Sequence, residues 1–359
     1  METRCWENGR KRARIRKREV NEPMRTTSPV RLAAMLLCLA AILAAGKYGP
    51  LHTYVQAVKA QARETIGFEN RTSPSVAGLL GQIRREAAKR RIPPVDATLD
   101  RVWKAIPGYN GREVDIDATY EQARALGLGD GARAEQIPWV YREVPPAVGL
   151  ADLEPAPTYR GNPNKPMVGL MINVAWGNEY LPSILETLRK EKVSATFFFD
   201  GSWLAKNGAL AQEIVREGHE ASNHAYTHPA MSSLDSARQR SEIVRTEELL
   251  KTKLGVRNRW FAPPSGDFNQ TTVDVAAQAG LRTVLWTLDT IDWKNPPASS
   301  VVAKVSARAQ AGTLILMHPT QTTRDALPGI IRTIRAKGLV PGTVSETLSE
   351  KRLDPQGNE

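Results

Sequence analysis

The 359 residues are 41% hydrophobic and 24% charged, which excludes wholesale disorder and leaves room for two average domains or one large α/β barrel with additions. Two cysteines, Cys5 and Cys38, exclude a disulfide framework and a four-cysteine zinc site. The formal net charge of +11 invites a nucleic-acid partner, but its location argues against one: residues 1–23 hold eight Lys/Arg against four Asp/Glu, Arg25 and Arg31 follow, and the rest of the chain is close to neutral.

The basic arm precedes an apolar run, residues 32–46 (LAAMLLCLAAILAAG). Basic residues, an apolar run and small residues, in that order, make an export signal. The run is short beside the roughly 20 residues of a full membrane span. The expectation is an exported, extracytoplasmic protein, either anchored in the membrane through residues 32–46 or released by cleavage after them, with no nucleic-acid partner. Both cysteines lie before residue 47, so the exported part folds without disulfides. Arg18-Glu19-Val20 can be encoded by AGG GAG GTG, a purine-rich ribosome-binding sequence three codons before Met24. Translation from Met24, with residues 1–23 untranslated, is therefore an alternative to Met1.

Residues 47–92 read as a helical stalk with mixed charge on a solvated face. Pro93-Pro94 ends it. Residues 93–150 read as a small accessory α/β unit, and the Pro-rich stretch 151–166 as a linker. From Met167 strand-like runs alternate with amphipathic helical stretches. The runs are VGLMINVA, ATFFFD, HEASNH, RWFAPP, RTVLWTLD, TLILMHP and a weaker LVPGTV. Residues 167–348 thus predict seven parallel strands and six helices closing into a distorted (β/α)7 barrel, with residues 349–359 as a tail. Functional side chains belong at the C-terminal ends of such strands. Asn173, Asp200, His224, Asp289, Asp292 and His318 sit there.

His224 and His228, in NHAYTHP, form an H-x3-H pair that can aim two imidazoles at one metal. Taken in order, VGLMINVAWGNEYLPSILETLRKEKVSATFFFDG, GHEASNHAYTHP, WFAPPSGDFN, VLWTLDTIDW and GTLILMHPT resemble the polysaccharide deacetylase family. This is the NodB-homology group, carbohydrate esterase family 4. INVAWGNEY, WFAPPSG and the upstream VWKAIPGYNG resemble its sporulation-associated branch. The resemblance implies a barrel of the NodB type, a divalent metal (usually zinc), and removal of acetyl groups from cell-wall glycan. By the same resemblance His224 and His228 are metal ligands and His318 is the general acid. Asp289 and Asp292 lie in the motif that tunes that histidine. Trp293, Ser265 and Pro264 fall at substrate-binding positions; Ser265 stands where the family's motif has Tyr, and its backbone N–H could still serve as an oxyanion donor.

The departures are chemical. The family's first motif, T-F-D-D-G, supplies a base and a metal ligand; here those positions are Asn173 and Val174. An amide takes no proton from water, and an isopropyl group binds no cation. The Arg that orients the family's base is Ala262 here. Asp200 is the candidate replacement ligand, its alternative being a helix N-cap; Glu179 is a weaker candidate. Two functions follow as expectations: a deacetylase with a rewired site, using metal-activated water, or a catalytically degenerate barrel that binds glycan or a partner at the envelope.

Overall fold

Leu79, Ile83 and Ala87 share one helix face, and their burial fixes α1 (Leu79–Lys89) against its neighbours. The computed structural model describes residues 78–353; the basic arm, the expected export segment, the start of the expected stalk and the end of the expected tail lie outside them. Leu79 and Ile83 join Ala123 and Ile137 in one apolar cluster, with Tyr120 and Trp139 packed against it. For residues 79–89 the stalk expectation is therefore corrected: the apolar stripe meets a partner rather than water. β1 (Thr98–Asp100) pairs antiparallel with β2 (Lys104–Ile106). β3 (Gly111–Val114) pairs antiparallel with β4 (Tyr141–Val144). Between β3 and β4 runs α2 (Ile116–Ala125), started by the Asp115 carboxylate, which accepts from the Ala118 N–H at 3.0 Å.

The remaining strands form one parallel sheet. They are β5 (Met167–Val174), β6 (Thr196–Phe199), β7 (Glu220–Asn223), β8 (Trp260–Phe261), β9 (Arg282–Thr283), β10 (Leu288–Asp289), β11 (Leu314–Met317) and β12 (Val340–Gly342). The spatial order is β10-β11-β5-β6-β7-β8-β9, with β12 on β5. The helices α3 (Leu181–Glu191), α4 (Gly201–Lys206), α5 (Gly208–Arg216), α6 (Ser236–Leu254), α7 (Gln270–Gln278), α8 (Ala298–Arg308), α9 (Gln321–Ala336) and α10 (Val344–Leu348) connect or follow them. This is the curled parallel α/β barrel expected from the alternation of strands and helices.

β5 is buried along its whole length because both of its faces are covered. Val168, Leu170, Ile172 and Val174 face the layer containing Leu185, Ile214, Val305 and Ile331. Met171 belongs to the barrel interior, with Phe198, Trp260 and Val284. The alternation is the two-residue period of a strand.

The run RTVLWTLD, expected as one strand, is two. β9 and β10 lie at opposite ends of the sheet path, so residues 284–287 must cross the open seam. The expected linker fills that seam. Thr158 bridges to Val284 and Arg160 to Thr313, while Asn162 and Lys165 are buried. The Lys165 Nζ donates to the carbonyls of Glu346 and Ser349. Residues 156–165 are thus part of the barrel, which their proline-rich composition hid. The start of the tail is also engaged. Glu350 accepts from the Leu150 N–H at 2.8 Å, and the Arg352 N–H donates to Glu143 at 3.1 Å. The described residues cluster as one compact unit.

Candidate functional site

Parallel strands put all their C-terminal ends on one rim, and a cleft of about 510 Å³ opens there. It is lined by Asn173, Trp176, His224, His228, Ser265, Trp286, Asp289, Trp293, Leu316 and His318. Sequence-expected residues from β5, β7, β10 and β11 therefore meet in one place. Several neighbours hold left-handed backbone: Ala225, His228, Ser265 and Ile291 have φ of 60°, 58°, 56° and 57°. Such strain persists only where surrounding structure fixes it.

The His224 and His228 rings lie 5.1 Å apart, edge to face. His224 is buried, and its Nδ1 sits 2.7 Å from the Ala262 carbonyl. Burial, then the neighbouring His228, pushes the His224 imidazole down to about 3. The neutral ring donates Nδ1–H to that carbonyl and leaves Nε2 with a lone pair. A backbone carbonyl on the second nitrogen is how metal-ligating histidines are commonly held.

The third ligand is missing. Asp200 caps α4: its Oδ1 accepts from the Trp203 N–H at 2.8 Å and the Ser202 hydroxyl at 2.6 Å. It does not line the cleft, and its candidacy as a ligand is corrected; the chain after β6 turns straight into a helix whose N–H groups claim the carboxylate. Val174 faces the layer under the helices and not the cleft, so the implied ligand position holds core packing. Glu179 is exposed in the turn before α3 and is likewise absent from the lining. Among the described residues no group of three His, Cys, Asp or Glu side chains could hold a metal ion. Structural and catalytic zinc sites need three or four protein ligands, so these residues do not fit the zinc that the resemblance implies.

The residues expected on the acid side meet in the structure. Asp292 is fully buried and takes five donors: the His318 N–H at 3.0 Å, His318 Nδ1 at 3.1 Å, and the hydroxyls of Thr290 at 2.7 Å, Thr320 at 3.0 Å and Thr323 at 3.1 Å. Burial alone pushes the Asp292 carboxyl up. The hydrogen bond and charge of His318, with Thr290 and Thr320, outweigh it and hold the group below the usual carboxylate range. Asp292 thus orients His318 from behind. Asp289 lines the cleft instead, its Oδ1 accepting from the Ile291 N–H at 2.8 Å.

Trp293, expected at a sugar subsite, is half exposed on the lining. Ser265 is on the lining too, whereas Pro264 is buried in the turn beneath it. Ala262 is fully buried and contributes its carbonyl rather than a side chain. Sequence reading missed Trp176, Trp286 and Leu316, and the three threonines on Asp292. Trp176 is nearly parallel to His318, with ring centroids 6.2 Å apart. It is carried there by Gly177, at φ 81°, where an added Cβ would lie 2.0 Å from the Pro319 carbonyl oxygen. The W-G pair, separated from the end of β5 by one residue, was the available signal.

Comparison with known proteins agrees with this geometry. A match to the family Polysaccharide deacetylase spans residues 160–284. The chain is 43% identical over 275 residues to the uncharacterized protein YlxY of Bacillus subtilis, covering 77% of this chain and 85% of that protein. It is 32% identical over 185 residues to a peptidoglycan-N-acetylglucosamine deacetylase of Bacillus cereus, covering 50% of this chain and 67% of that one. Among solved structures it is similar to a carbohydrate esterase family 4 pseudoenzyme from Bacillus anthracis, with a TM-score of 0.70, 43% identity, and coverage of 77% of this chain and 97% of that one. A mutant of that pseudoenzyme, described as having restored enzymatic activity, matches equally well in shape, with a TM-score of 0.70, 42% identity, and coverage of 77% of this chain and 99% of that one. The fold, the ordered motifs and these similarities together place the chain in the polysaccharide deacetylase family, carbohydrate esterase family 4.

Proposed function

We propose that this chain is a glycan-binding member of the family that has lost ordinary metal-dependent deacetylation. The observation that carries the reading is the histidine pair, which has no carboxylate partner among the described residues, Asp200 being engaged on its own helix. The position of the family's base holds an amide, which cannot take a proton from water. Loss of base, ligand and orienting Arg together is coherent, since an Arg left alone in the cleft would be an unpaired charge. The Bacillus anthracis neighbour, described as a pseudoenzyme, supports the same reading. What remains is a cleft walled by Trp176, Trp286 and Trp293, suited to the apolar faces of sugar rings. The peptidoglycan deacetylase among the relatives supports a cell-wall glycan as ligand. The apolar run at residues 32–46 supports a location outside the cytoplasmic membrane, and the resemblance to the sporulation-associated branch supports a role in envelope remodelling.

The test is a titration of purified protein with an N-acetylglucosamine tetramer, with zinc present and acetate followed in the same sample. The expected result is saturable binding, weakened about tenfold by Trp176→Ala or Trp293→Ala, with no acetate released. The intact His318–Asp292 pair favours a second reading, a hydrolase with a rewired nucleophile side. Acetate release that disappears in His318→Ala would establish it and overturn the first.

A further inference from the structure

Asn173 ends β5 on the cleft lining and is 4% exposed. Its side-chain Oδ1 is buried with no hydrogen-bond partner among the described residues. Leaving a buried amide oxygen unpaired costs its full desolvation, and native proteins rarely tolerate this without a reason. The free protein therefore presents an acceptor to whatever enters the cleft. Two histidines on the same lining are committed elsewhere: the His224 Nδ1 to the Ala262 carbonyl and the His318 Nδ1 to Asp292.

The cleft limits what can complete it. A carboxamide carries an acceptor and a donor in one plane, so its natural complement is another amide, whose N–H meets Oδ1 while its C=O accepts from Nδ2. Trp176, at 47% exposure, Trp293, at 50%, and the side chain of Leu316 offer apolar surface for a methyl group and a sugar ring. A free ammonium would need a carboxylate to neutralise it. Asp292 is enclosed by its five donors, and Asp289, with one oxygen bonded to the Ile291 N–H, is the single carboxylate on the cleft lining, so tighter binding of the deacetylated glycan is the outcome that an ammonium seated on Asp289 would give.

We propose that Asn173 recognises the acetamido group of N-acetylated amino sugars, so that the cleft retains acetylated glycan and discriminates against deacetylated glycan. The proposal rests on the non-catalytic reading above and names the group such a cleft selects. The Asn173 amide, unable to act as a base, becomes the means of holding an amide.

The experiment compares the N-acetylglucosamine tetramer with the fully deacetylated glucosamine tetramer, by calorimetry and by the side-chain NH2 signal of Asn173 in ¹⁵N-labelled protein. The acetylated tetramer is expected to bind about tenfold more tightly, as two amide hydrogen bonds allow. It alone should shift the Asn173 signal. Asn173→Leu, which removes both hydrogen bonds at similar volume, should lose the preference and keep the residual affinity of the aromatic walls. Equal affinity for the two tetramers, tighter binding of the deacetylated one, or a preference unchanged in Asn173→Leu would overturn the role of Asn173 and leave glycan binding standing. Failure to bind either tetramer would overturn both. The NMR signal of the unsubstituted protein decides the matter even if the Leu variant does not fold.

Discussion

Asp292 is the side chain on which the retained half of the site depends. Five donors converge on it in a place with no solvent access. Asp292→Ala leaves all of them without an acceptor except the Thr290 hydroxyl, which also reaches the Leu316 carbonyl at 2.8 Å, and the expected loss is roughly 3 kcal/mol of unfolding free energy, read by urea denaturation. The pH dependence has a definite sign. The carboxyl is held below its ordinary value in the folded protein, so its contribution is complete above the unfolded value of 3.8 and is lost as pH falls through the folded value. Urea midpoints should therefore drop on acidification below about pH 4, and Asp292→Asn should flatten that drop. An unchanged acid limb in the Asn variant would show that other groups control it. The motif carrying Asp289 and Asp292 was legible in the sequence. Which of the two backs His318 was not, because the answer depends on Thr320 and Thr323, some 30 residues away.

At the scale of elements, the strand ends explain both what could be read and what could not. Runs such as MVGLMINV and TFFF, with helical stretches between them, specify a parallel sheet and a common rim, and so bring Asn173, His224 and His318 together. Asp200 lies on the same rim, but strand-end aspartates that precede a helix have two uses that sequence does not separate. The structure chooses the cap, because the Trp203 N–H lies within 2.8 Å. Asp200→Ala should cost about 1 kcal/mol in unfolding free energy and leave glycan affinity unchanged. A loss of glycan affinity as large as that expected for Trp176→Ala would return it to the site. Trp176 went unread for a related reason: its place over His318 depends on the approach of Gly177 to Pro319, a contact between loops far apart in the chain.

For the whole molecule, the seam of the barrel matters most. The parallel sheet has β9 and β10 at its two ends, and residues 156–165 cover the gap between them. Proline-rich composition made this stretch read as a linker, since a buried irregular segment is stabilised by tertiary partners that no local pattern records. A protein truncated to begin at residue 167 should therefore be poorly soluble, or melt at least about 10 °C below one beginning at residue 78. Equal melting temperatures would show that the barrel closes without the segment.

The account turns on the histidine pair lacking its carboxylate. Its most direct test is zinc content after equilibration with the metal and dialysis, for the unaltered protein beside His224→Ala. The prediction is that neither retains zinc and that the two are indistinguishable, as a two-ligand site requires. Stoichiometric zinc in the unaltered protein, lost in His224→Ala, would contradict it.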